Sequence, residues 1–268
     1  MSLSRIPVWM AQHTPPAVKK AIHSVRFLDR ALMGTYGSLI DGQVMTIEDG
    51  PMRGIKLVAS QHTSHAHING SYERDVQEAI AGMLQPGDIC YDLGASIGYM
   101  TLLMARTAKH VYSFEPAPHA AEEMKHHLAA NQMENVTIVP FPVSDGVRKV
   151  RFCLTDGAYG SAINETETRW PVLELETTTL NIFAKTHPAP DFLKMDVEGE
   201  EGRVLDAAGE MLAVKRPRIC CEVHNRDAAA SVLGTLARFG YTVTLLDGTP
   251  AKVPESVVAG EFHILARP

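Results

Sequence analysis

The chain has 268 residues, of which 45% are apolar and 21% charged, a composition typical of a folded globular protein rather than a disordered one. Its 31 acidic residues outnumber its 25 basic ones, and the net charge of −6 argues against a duplex-DNA-binding protein, so we expect no nucleic-acid partner. The start has no apolar run typical of a signal peptide, and no segment approaches the ~18 apolar residues of a membrane span, so we expect a cytoplasmic protein.

The first seventy residues differ from the rest of the chain. A helical pattern over 18–32 follows two prolines, two short strands are predicted over 44–47 and 55–59, and a polar stretch covers 61–70. The histidines of that stretch lack the partners of a zinc site and indicate an exposed loop. We therefore predict an N-terminal cap over residues 1–70 and a main domain over residues 71–268.

From residue 72 onward, strands and helices alternate regularly. The pattern predicts helices over 72–84, 99–107, 118–131, 203–212 and 228–239, and strands over 89–93, 110–114, 136–139, 192–195, 218–223, 242–246 and 262–266. Such alternation predicts a mostly parallel sheet with helices on both faces. The stretch 147–178 breaks the rhythm and predicts an inserted β-hairpin with strands over 150–154 and 172–176.

Two minor features of the main domain carry predictions of their own. The histidines of the helix over 118–131 stand among charged residues and indicate a solvated face. The four cysteines form no C-x-x-C pair and are expected to be buried free thiols in a reducing compartment.

The most informative segment is ICYDLGASIG (89–98), an apolar strand that runs into a glycine turn and then a helix. Glycines let the chain turn tightly and let a ligand approach the backbone, and the helix start presents free N–H groups. The next strand ends on Glu115, and a carboxylate at this position can accept hydrogen bonds from the two hydroxyls of a ribose. The spacing is neither the dinucleotide fingerprint nor the P-loop. Asp92, two residues before Gly94, suits a ligand with a cationic amino group, such as S-adenosylmethionine (SAM).

The same turn also reads G-x-S-x-G, the pattern of the hydrolase nucleophile elbow. Ser96 would then be a nucleophile, with His224 or His263 as its base. No oxyanion segment of the HGGG type precedes it, and this alternative leaves Asp92 and Glu115 without a role. An α/β-hydrolase-type esterase is therefore the weaker alternative.

The chain resembles the FkbM-type, class I SAM-dependent methyltransferases. The resemblance rests on SYERD (71–75), QPGDICYDLGASIGYMTLLMA (85–105), VYSFEPAP (111–118), PVSD (142–145), LKMDVEGEE (193–201) and CEVH (221–224). It implies a Rossmann-like α/β fold with a seven-stranded, mostly parallel sheet whose last strand is antiparallel. The family usually has Asn where this chain has Ser96.

The resemblance also implies which residues bind SAM. The glycine turn would hold the methionine end, the end of the second strand the ribose hydroxyls, and PVSD the adenine. Glu73 would close over the cofactor. The implied cofactor-binding residues are Glu73, Asp92, Gly94, Ala95, Ser96, Gly98, Glu115, Pro116, Val143, Ser144, Asp145 and Asp196.

The reaction is expected at the carboxyl ends of the fourth and fifth strands, because ligands of open α/β sheets bind there. We take four residues at these ends as the catalytic candidates: Lys194, Asp196, Glu222 and His224. Either His224 or Asp196 is the general base, and Lys194 or Glu222 orients the substrate. His224 has the unperturbed pKa nearest to neutrality.

The acidic residues and the histidine at these strand ends also have structural interpretations. Carboxylates that precede a helix, as in DVEGEE (196–201), stabilise its N-terminus without taking part in catalysis. A histidine at a strand end can be a hydrogen-bonded structural residue. Asp196, Glu222 and His224 could also bind Mg²⁺, which is the less favoured alternative, and no metal ligand is assigned.

The resemblance implies an O-methyltransferase whose acceptor is a hydroxyl of a sugar, a glycolipid or a natural product. The non-enzymatic alternative is a module that binds SAM or a nucleotide without transferring a methyl group. The expected partner is a small-molecule or glycan acceptor. The oligomeric state is open, with a homodimer among the alternatives.

Overall fold

The computed structural model describes residues 40–61, 63–155, 161–164, 166, 169–251 and 262–268. The predicted helix over 18–32 lies outside these residues. The chain divides into two compact units, residues 1–72 and 73–268. The functional boundary proposed between residues 70 and 71 stays a prediction.

The first unit contains a small antiparallel hairpin. Strand β1 (Val44–Thr46) pairs with β2 (Lys56–Val58), which agrees with the two predicted strands within two residues at each end. Alternate residues of the hairpin point inward, and Met45 and Leu57 are buried. Met45 belongs to a small apolar cluster with Ile40, Ala59 and Ile68.

The predicted exposed loop over 61–70 is wrong in part, because it contains helix α1 (His65–Asn69). Ser64 caps this helix, and its hydroxyl lies 2.7 Å from Nδ1 of His67. The His67 ring stacks on Tyr72 with 4.3 Å between ring centroids and is buried. His67 is therefore a structural residue of the first unit.

The second unit alternates strands and helices as predicted. In chain order it contains α2 (Arg74–Met83), β3 (Ile89–Leu93), α3 (Tyr99–Ala105), β4 (His110–Phe114), α4 (Pro118–Asn131), β5 (Val136–Val139), β6 (Lys149–Cys153), β7 (Ala162–Ile163), β8 (Val172–Glu176), α5 (Leu180–Phe183), β9 (Phe192–Met195), α6 (Glu201–Ala207), α7 (Gly209–Val214), β10 (Arg218–Val223), α8 (Arg226–Arg238), β11 (Thr242–Leu245) and β12 (Phe262–Arg267).

Seven strands form the main sheet in the order β11-β12-β10-β9-β3-β4-β5. Strand β12 runs antiparallel to both of its neighbours, and every other pairing is parallel. The Rossmann-like class I methyltransferase fold is confirmed. The order reverses at β3, so the carboxyl ends of β3, β4 and β9 flank the crevice where such sheets bind ligands.

The two faces of this sheet differ sharply in chemistry. Residues in register share a face, so the pairs Leu93–Met195 and Met195–Cys221 place one face in the large apolar core. The register also pairs Asp92 with Lys194 on the opposite face. Alternation along the strands thus separates an apolar face from a face that carries charged residues near its carboxyl edge.

The predicted hairpin insertion is part of a three-stranded antiparallel sheet in the order β7-β6-β8. Strand β7 was not expected. One face of this small sheet buries Phe152 against Ala117 and Ala120, at the start of α4. The insertion therefore packs beside the end of β4.

The predicted helix over 203–212 is two helices, α6 and α7, which meet at Ala208. The Asn181 side chain makes a hydrogen bond to each helix at the junction. Its Nδ2 donates to the Ala207 carbonyl at 2.9 Å, and its Oδ1 accepts from the Met211 amide at 3.1 Å. Backbone groups at a helix end need such partners. The break depends on a residue about thirty positions away in sequence.

Three further expectations concern burial and membranes. His127 is fully buried, so the predicted solvated face is wrong at that residue. All four cysteines are buried and free, as expected. Within the part of the chain that the structure describes, no helix has the length and apolarity to cross a membrane.

Candidate functional site

The glycine turn between β3 and α3 is tight because two of its positions need glycine. Gly94 has a φ of 72°, and a Cβ there would lie 1.7 Å from the Asp196 carbonyl oxygen. A Cβ on Gly98 would lie 2.4 Å from the Met124 side chain. Ser96 has a φ of 51°, a left-handed conformation that Asn adopts more readily than most residues. This preference accounts for the Asn that FkbM-type methyltransferases usually have at the position of Ser96.

Lys194 connects the glycine turn to two carboxylates. Its Nζ donates to the Gly94 carbonyl at 3.2 Å and lies 3.4 Å from Asp196 Oδ2 and 3.6 Å from Asp92 Oδ1. Burial opposes the charge of this ammonium, but the carboxylates of Asp196, Asp92 and Glu73 outweigh it, and its pKa lies above the ordinary value. Lys194 therefore holds the turn against β9 as a permanent cation.

Asp92 lies beneath the turn and has no exposed surface. Its Oδ2 accepts a 2.6 Å hydrogen bond from the Thr101 hydroxyl, while its Oδ1 has no hydrogen-bond partner among the described residues. Burial raises the pKa of this carboxyl, and the Lys194 charge counteracts the rise. Thr101 is a site residue that the sequence reasoning missed, since nothing in its spacing marks it.

Glu115 stands at the carboxyl end of β4, as predicted. Its two oxygens accept backbone hydrogen bonds of 2.7 Å from the amides of Ser96 and Ala117. The side chain is almost fully buried, and this desolvation raises its pKa to about 7 despite both hydrogen bonds. Each oxygen retains a lone pair for a further donor.

A pocket of about 430 Å³ opens at the switch point of the sheet. This volume includes space open to solvent, so the pocket is a cleft at the surface and not an enclosed cavity. Five of the predicted cofactor-binding residues line it: Gly94, Glu115, Pro116, Val143 and Asp196. Phe152 and Ile163 close one side, so the small sheet β6–β8 contributes a wall.

The other predicted cofactor-binding residues do not line this pocket. Ser144 is buried, and its hydroxyl donates to Glu200 Oε2 at 2.5 Å, which places Glu200 at the pocket wall. Asp145 interacts with Arg148 at 3.5 Å and faces outward. Glu73 caps α2 with a φ of 43°, and its charge acts on Lys194.

Beside the pocket, His224 lies among three carboxylates, which we call the His224 cluster. Its Nδ1 is 2.8 Å from Glu201 Oε1, and its Nε2 is 3.4 Å from Asp196 Oδ1 and 3.6 Å from Glu198 Oε2. Asp196 belongs both to this cluster and to the pocket wall. The structure thus brings the predicted pair Asp196 and His224 together.

The environment of His224 favours its charged form. Burial disfavours the imidazolium, but the hydrogen bond to Glu201 and the charges of Glu201, Asp196 and Glu198 outweigh it, raising the pKa to about 9. At neutral pH the ring in this arrangement already carries its proton. His224 is therefore poorly suited to accept a proton there, and Asp196 is the better candidate of the two predicted bases.

Glu201 is the second site residue whose role was missed. Its side chain has no exposed surface, and its Oε1 accepts from the backbone amides of Val197 and Gly199 as well as from His224. It shapes the turn that follows β9 and orients the imidazole. The sequence marks it only as an acid at a helix start.

Glu222 lies in a separate pair. Its Oε2 is 3.3 Å from Nε2 of His263, its partner across β10 and β12. The hydrogen bond from His263 is the main factor that lowers the pKa of Glu222. Cys220 is in register with Lys194, and Glu222 lies two residues further along β10, so Glu222 and Lys194 share a sheet face. The histidine that pairs with Glu222 is His263 and not His224.

The comparisons with known proteins agree with this geometry. The sequence profile of a family described as the methyltransferase FkbM domain matches residues 92–243, more than half of the chain. No curated protein matches the sequence significantly.

Several solved structures are similar to this chain. A precorrin-6y C5,15-methyltransferase from Geobacter metallireducens is 14% identical over 73% of this chain and 89% of its own, with a TM-score of 0.47. An FkbM methyltransferase from Methylobacillus flagellatus is 16% identical over 69% of this chain and 45% of its own, with a TM-score of 0.45. A putative methyltransferase from Streptococcus mutans, in complex with SAH, is 15% identical over 71% of this chain and 94% of its own, with a TM-score of 0.45.

Proposed function

The chain belongs to the FkbM methyltransferase family and is a SAM-dependent methyltransferase, and from this premise we propose that it methylates a hydroxyl of a small-molecule or glycan acceptor. The observation that carries the proposal is the position of Asp196. This carboxylate lines the pocket and also faces His224, so a cofactor in the pocket would place its reactive end beside an acid–imidazole cluster.

The residues present fit SAM on chemical grounds. Glu115 lines the pocket and can accept hydrogen bonds from ribose hydroxyls, while Pro116 and Val143 offer an apolar border for a base. Asp92 has a buried oxygen without a hydrogen-bond partner among the described residues, and Asp196 stands on the other side of Lys194. These acids suit the cationic methionine end of the cofactor.

SAM bound by these residues would supply an electrophilic methyl group to the acceptor oxygen and would leave as SAH. Positioning contributes much of the rate in such a transfer. The hydroxyl must lose its proton, and we assign that proton to the Asp196 carboxylate, from which it passes to solvent. The charged His224 holds Asp196 in place, and Lys194 fixes the turn that carries Gly94.

A hydroxyl acceptor fits this cluster better than an acceptor that needs no base. A neutral hydroxyl is almost fully protonated at neutral pH, so a nearby carboxylate increases its reactivity. A sugar or a polyhydroxylated natural product would also find hydrogen-bond acceptors in Asp196 and Glu198, which are about one third exposed. The sugar, glycolipid or natural-product class follows from the family resemblance. The absence of a nucleic-acid acceptor stays a prediction.

The test is methyl transfer from labelled SAM to a panel of glycans, hydroxylated small molecules and total RNA. We expect transfer to a hydroxylated small molecule or glycan, and a loss of roughly 10²–10⁴-fold in kcat in Asp196→Asn. SAH affinity should fall far less than kcat, because Asp92 still faces the methionine end. Glu210→Gln, which removes a carboxylate from the exposed start of α7, should keep full activity.

Three outcomes would contradict this proposal. Transfer to RNA alone would replace the acceptor class, and undiminished turnover in Asp196→Asn would remove that residue from the proton transfer. SAH binding without transfer to any acceptor would favour a binding module that does not catalyse.

A further inference from the structure

The loop after β9 and the end of β10 place three potential metal ligands together. One ligand atom from each of Asp196, Glu198 and His224 lies within 4.8 Å of the other two. We propose that these three side chains form a site for a divalent cation, with Glu201 as the carboxylate that orients the imidazole. The site deepens the proposed function, because it would stand beside the acceptor hydroxyl.

The distances agree with a shared ion. His224 Nε2 lies 3.4 Å from Asp196 Oδ1 and 3.6 Å from Glu198 Oε2. Ligand atoms that each lie about 2.1 Å from one ion are roughly 3.0 Å apart at right angles in octahedral coordination and roughly 3.4 Å apart in tetrahedral coordination. An ion would therefore draw the imidazole nitrogen and each carboxylate oxygen only slightly closer together. Side-chain exposures of 29%, 34% and 11% for Asp196, Glu198 and His224 leave the ligands accessible to an ion from solvent.

The imidazole is presented as it is in protein metal sites. Metal-binding histidines usually donate their other ring N–H to a carboxylate, which fixes the tautomer. Here Glu201 Oε1 accepts from Nδ1 at 2.8 Å, and a carboxylate that also accepts two backbone amides can only be the acceptor. Nε2 therefore faces the two remaining carboxylates.

A second observation points independently to a cation. The Glu201 side chain is completely buried, yet its Oε2 has no hydrogen-bond partner among the described residues. Three carboxylates thus surround one imidazole, and the Lys194 ammonium beside Asp196 is shared with Asp92. A buried carboxylate with an unsatisfied oxygen is costly, and a divalent ion would offset that surplus negative charge.

The ligand set indicates the class of ion. Carboxylates suit Mg²⁺, Ca²⁺ and Mn²⁺, whereas imidazole suits transition metals. Two carboxylates with one imidazole therefore favour Mn²⁺, a transition-metal ion that accepts both oxygen and nitrogen ligands, over Mg²⁺. Three protein ligands leave coordination positions open, as in catalytic sites, and an ion there would lower the pKa of a hydroxyl placed beside Asp196. In the ion-loaded protein the ion would displace the Nε2 proton of His224 to solvent, so that His224 binds as the neutral imidazole. Asp196 would then serve as a ligand, and the acceptor proton would pass to solvent water.

The test is a titration of the full chain with Mn²⁺, in which the electron paramagnetic resonance signal of the free ion shows how much Mn²⁺ the protein has bound. We expect one Mn²⁺ per chain in the wild type. Glu198→Gln removes a ligand and should weaken binding at least tenfold. Glu201→Gln removes no ligand but should weaken binding roughly 10–100-fold. Glu210→Gln, which removes the same charge elsewhere, should bind as the wild type does.

Two results would overturn the site: no Mn²⁺ bound at millimolar concentration, or equal binding in wild type, Glu198→Gln and Glu210→Gln. Thermal melts without metal check that each variant folds. If Glu201→Gln does not fold, the comparison of Glu198→Gln with Glu210→Gln decides alone. SAH binding is measured on the same samples. Retained SAH binding without Mn²⁺ binding overturns the metal site and leaves the methyltransferase proposal standing.

Discussion

Among the acidic residues of DVEGEE (196–201), burial decides which task each can perform. Glu201 is completely enclosed and bonded to His224, whereas Asp196 remains about one third exposed at the pocket. A buried carboxylate orients its neighbour, and an accessible one can exchange a proton. Two carboxylates five positions apart thus take different roles.

At the residue scale, the raised pKa of Glu115 makes nucleoside binding depend on pH. Burial raises this pKa to about 7, and hydroxyl donors bind the ionised carboxylate. Because binding favours the deprotonated form, affinity should increase as pH rises through 7. We expect adenosine, which has no titrating group in this range, to bind up to about tenfold more tightly at pH 8 than at pH 6.

Isothermal titration calorimetry at the two pH values measures this effect. Glu115→Gln provides the control, since its side chain does not titrate, and its weaker binding should be flat with pH. An equal pH dependence in Glu115→Gln and the wild type would show that another group controls the affinity.

At the element scale, helices α6 and α8 pack closely at one point, where Gly202 meets Ser231. A Cβ on Gly202, in α6, would lie 2.7 Å from both the Cβ and the Oγ of Ser231 in α8. Each of these helices also packs into the large core, through residues such as Val204 and Val232. The glycine is therefore required by the distance between two helices and not by a turn.

Gly202→Ala should lower the free energy of unfolding by about 1–3 kcal/mol, because the added methyl group overpacks the contact. Ser231→Gly in the same chain should recover part of that loss, so that the two changes are not additive. Gly234→Ala in α8 is the matched control, because its Cβ meets open space and helix propensity should stabilise the protein by about 1 kcal/mol. Urea unfolding curves of the wild type, the three single variants Gly202→Ala, Ser231→Gly and Gly234→Ala, and the double variant measure these effects. Additive effects at positions 202 and 231 would contradict the contact.

The stability of the whole molecule should fall in mild acid because His127 is buried without charge. Burial lowers its pKa to about 4, so the unfolded chain binds the proton more readily than the folded one. The contribution is fully present above the unfolded pKa of about 6.5 and is lost as pH falls toward 4. We expect His127 to account for a loss of about 2 kcal/mol between pH 7.5 and pH 5.

Urea unfolding at these two pH values tests the assignment. His127→Gln should show a pH dependence smaller by that amount, whatever its absolute stability. His126→Gln, on the exposed side of the same helix, should keep the wild-type dependence. If both variants follow the wild type, other groups cause the acid sensitivity.

The sequence by itself determined the alternation of strands and helices, the glycine turn and the position of Glu115, because these depend on local periodicity and on residues a few positions apart. It also determined that Asp196 and His224 lie at the same edge of the sheet. It missed the split between α6 and α7, since the junction is completed by Asn181 from a distant segment.

Only the tertiary structure decided what the charged residues do. Lys194 joins Gly94 to two acids, Glu222 pairs with His263, and His224 becomes a cation held by Glu201. Burial and charge state depend on groups that approach from other strands, and no local pattern records that approach. The physical reason is that electrostatic and desolvation energies depend on distances in space, whereas the secondary structure depends on spacing along the chain.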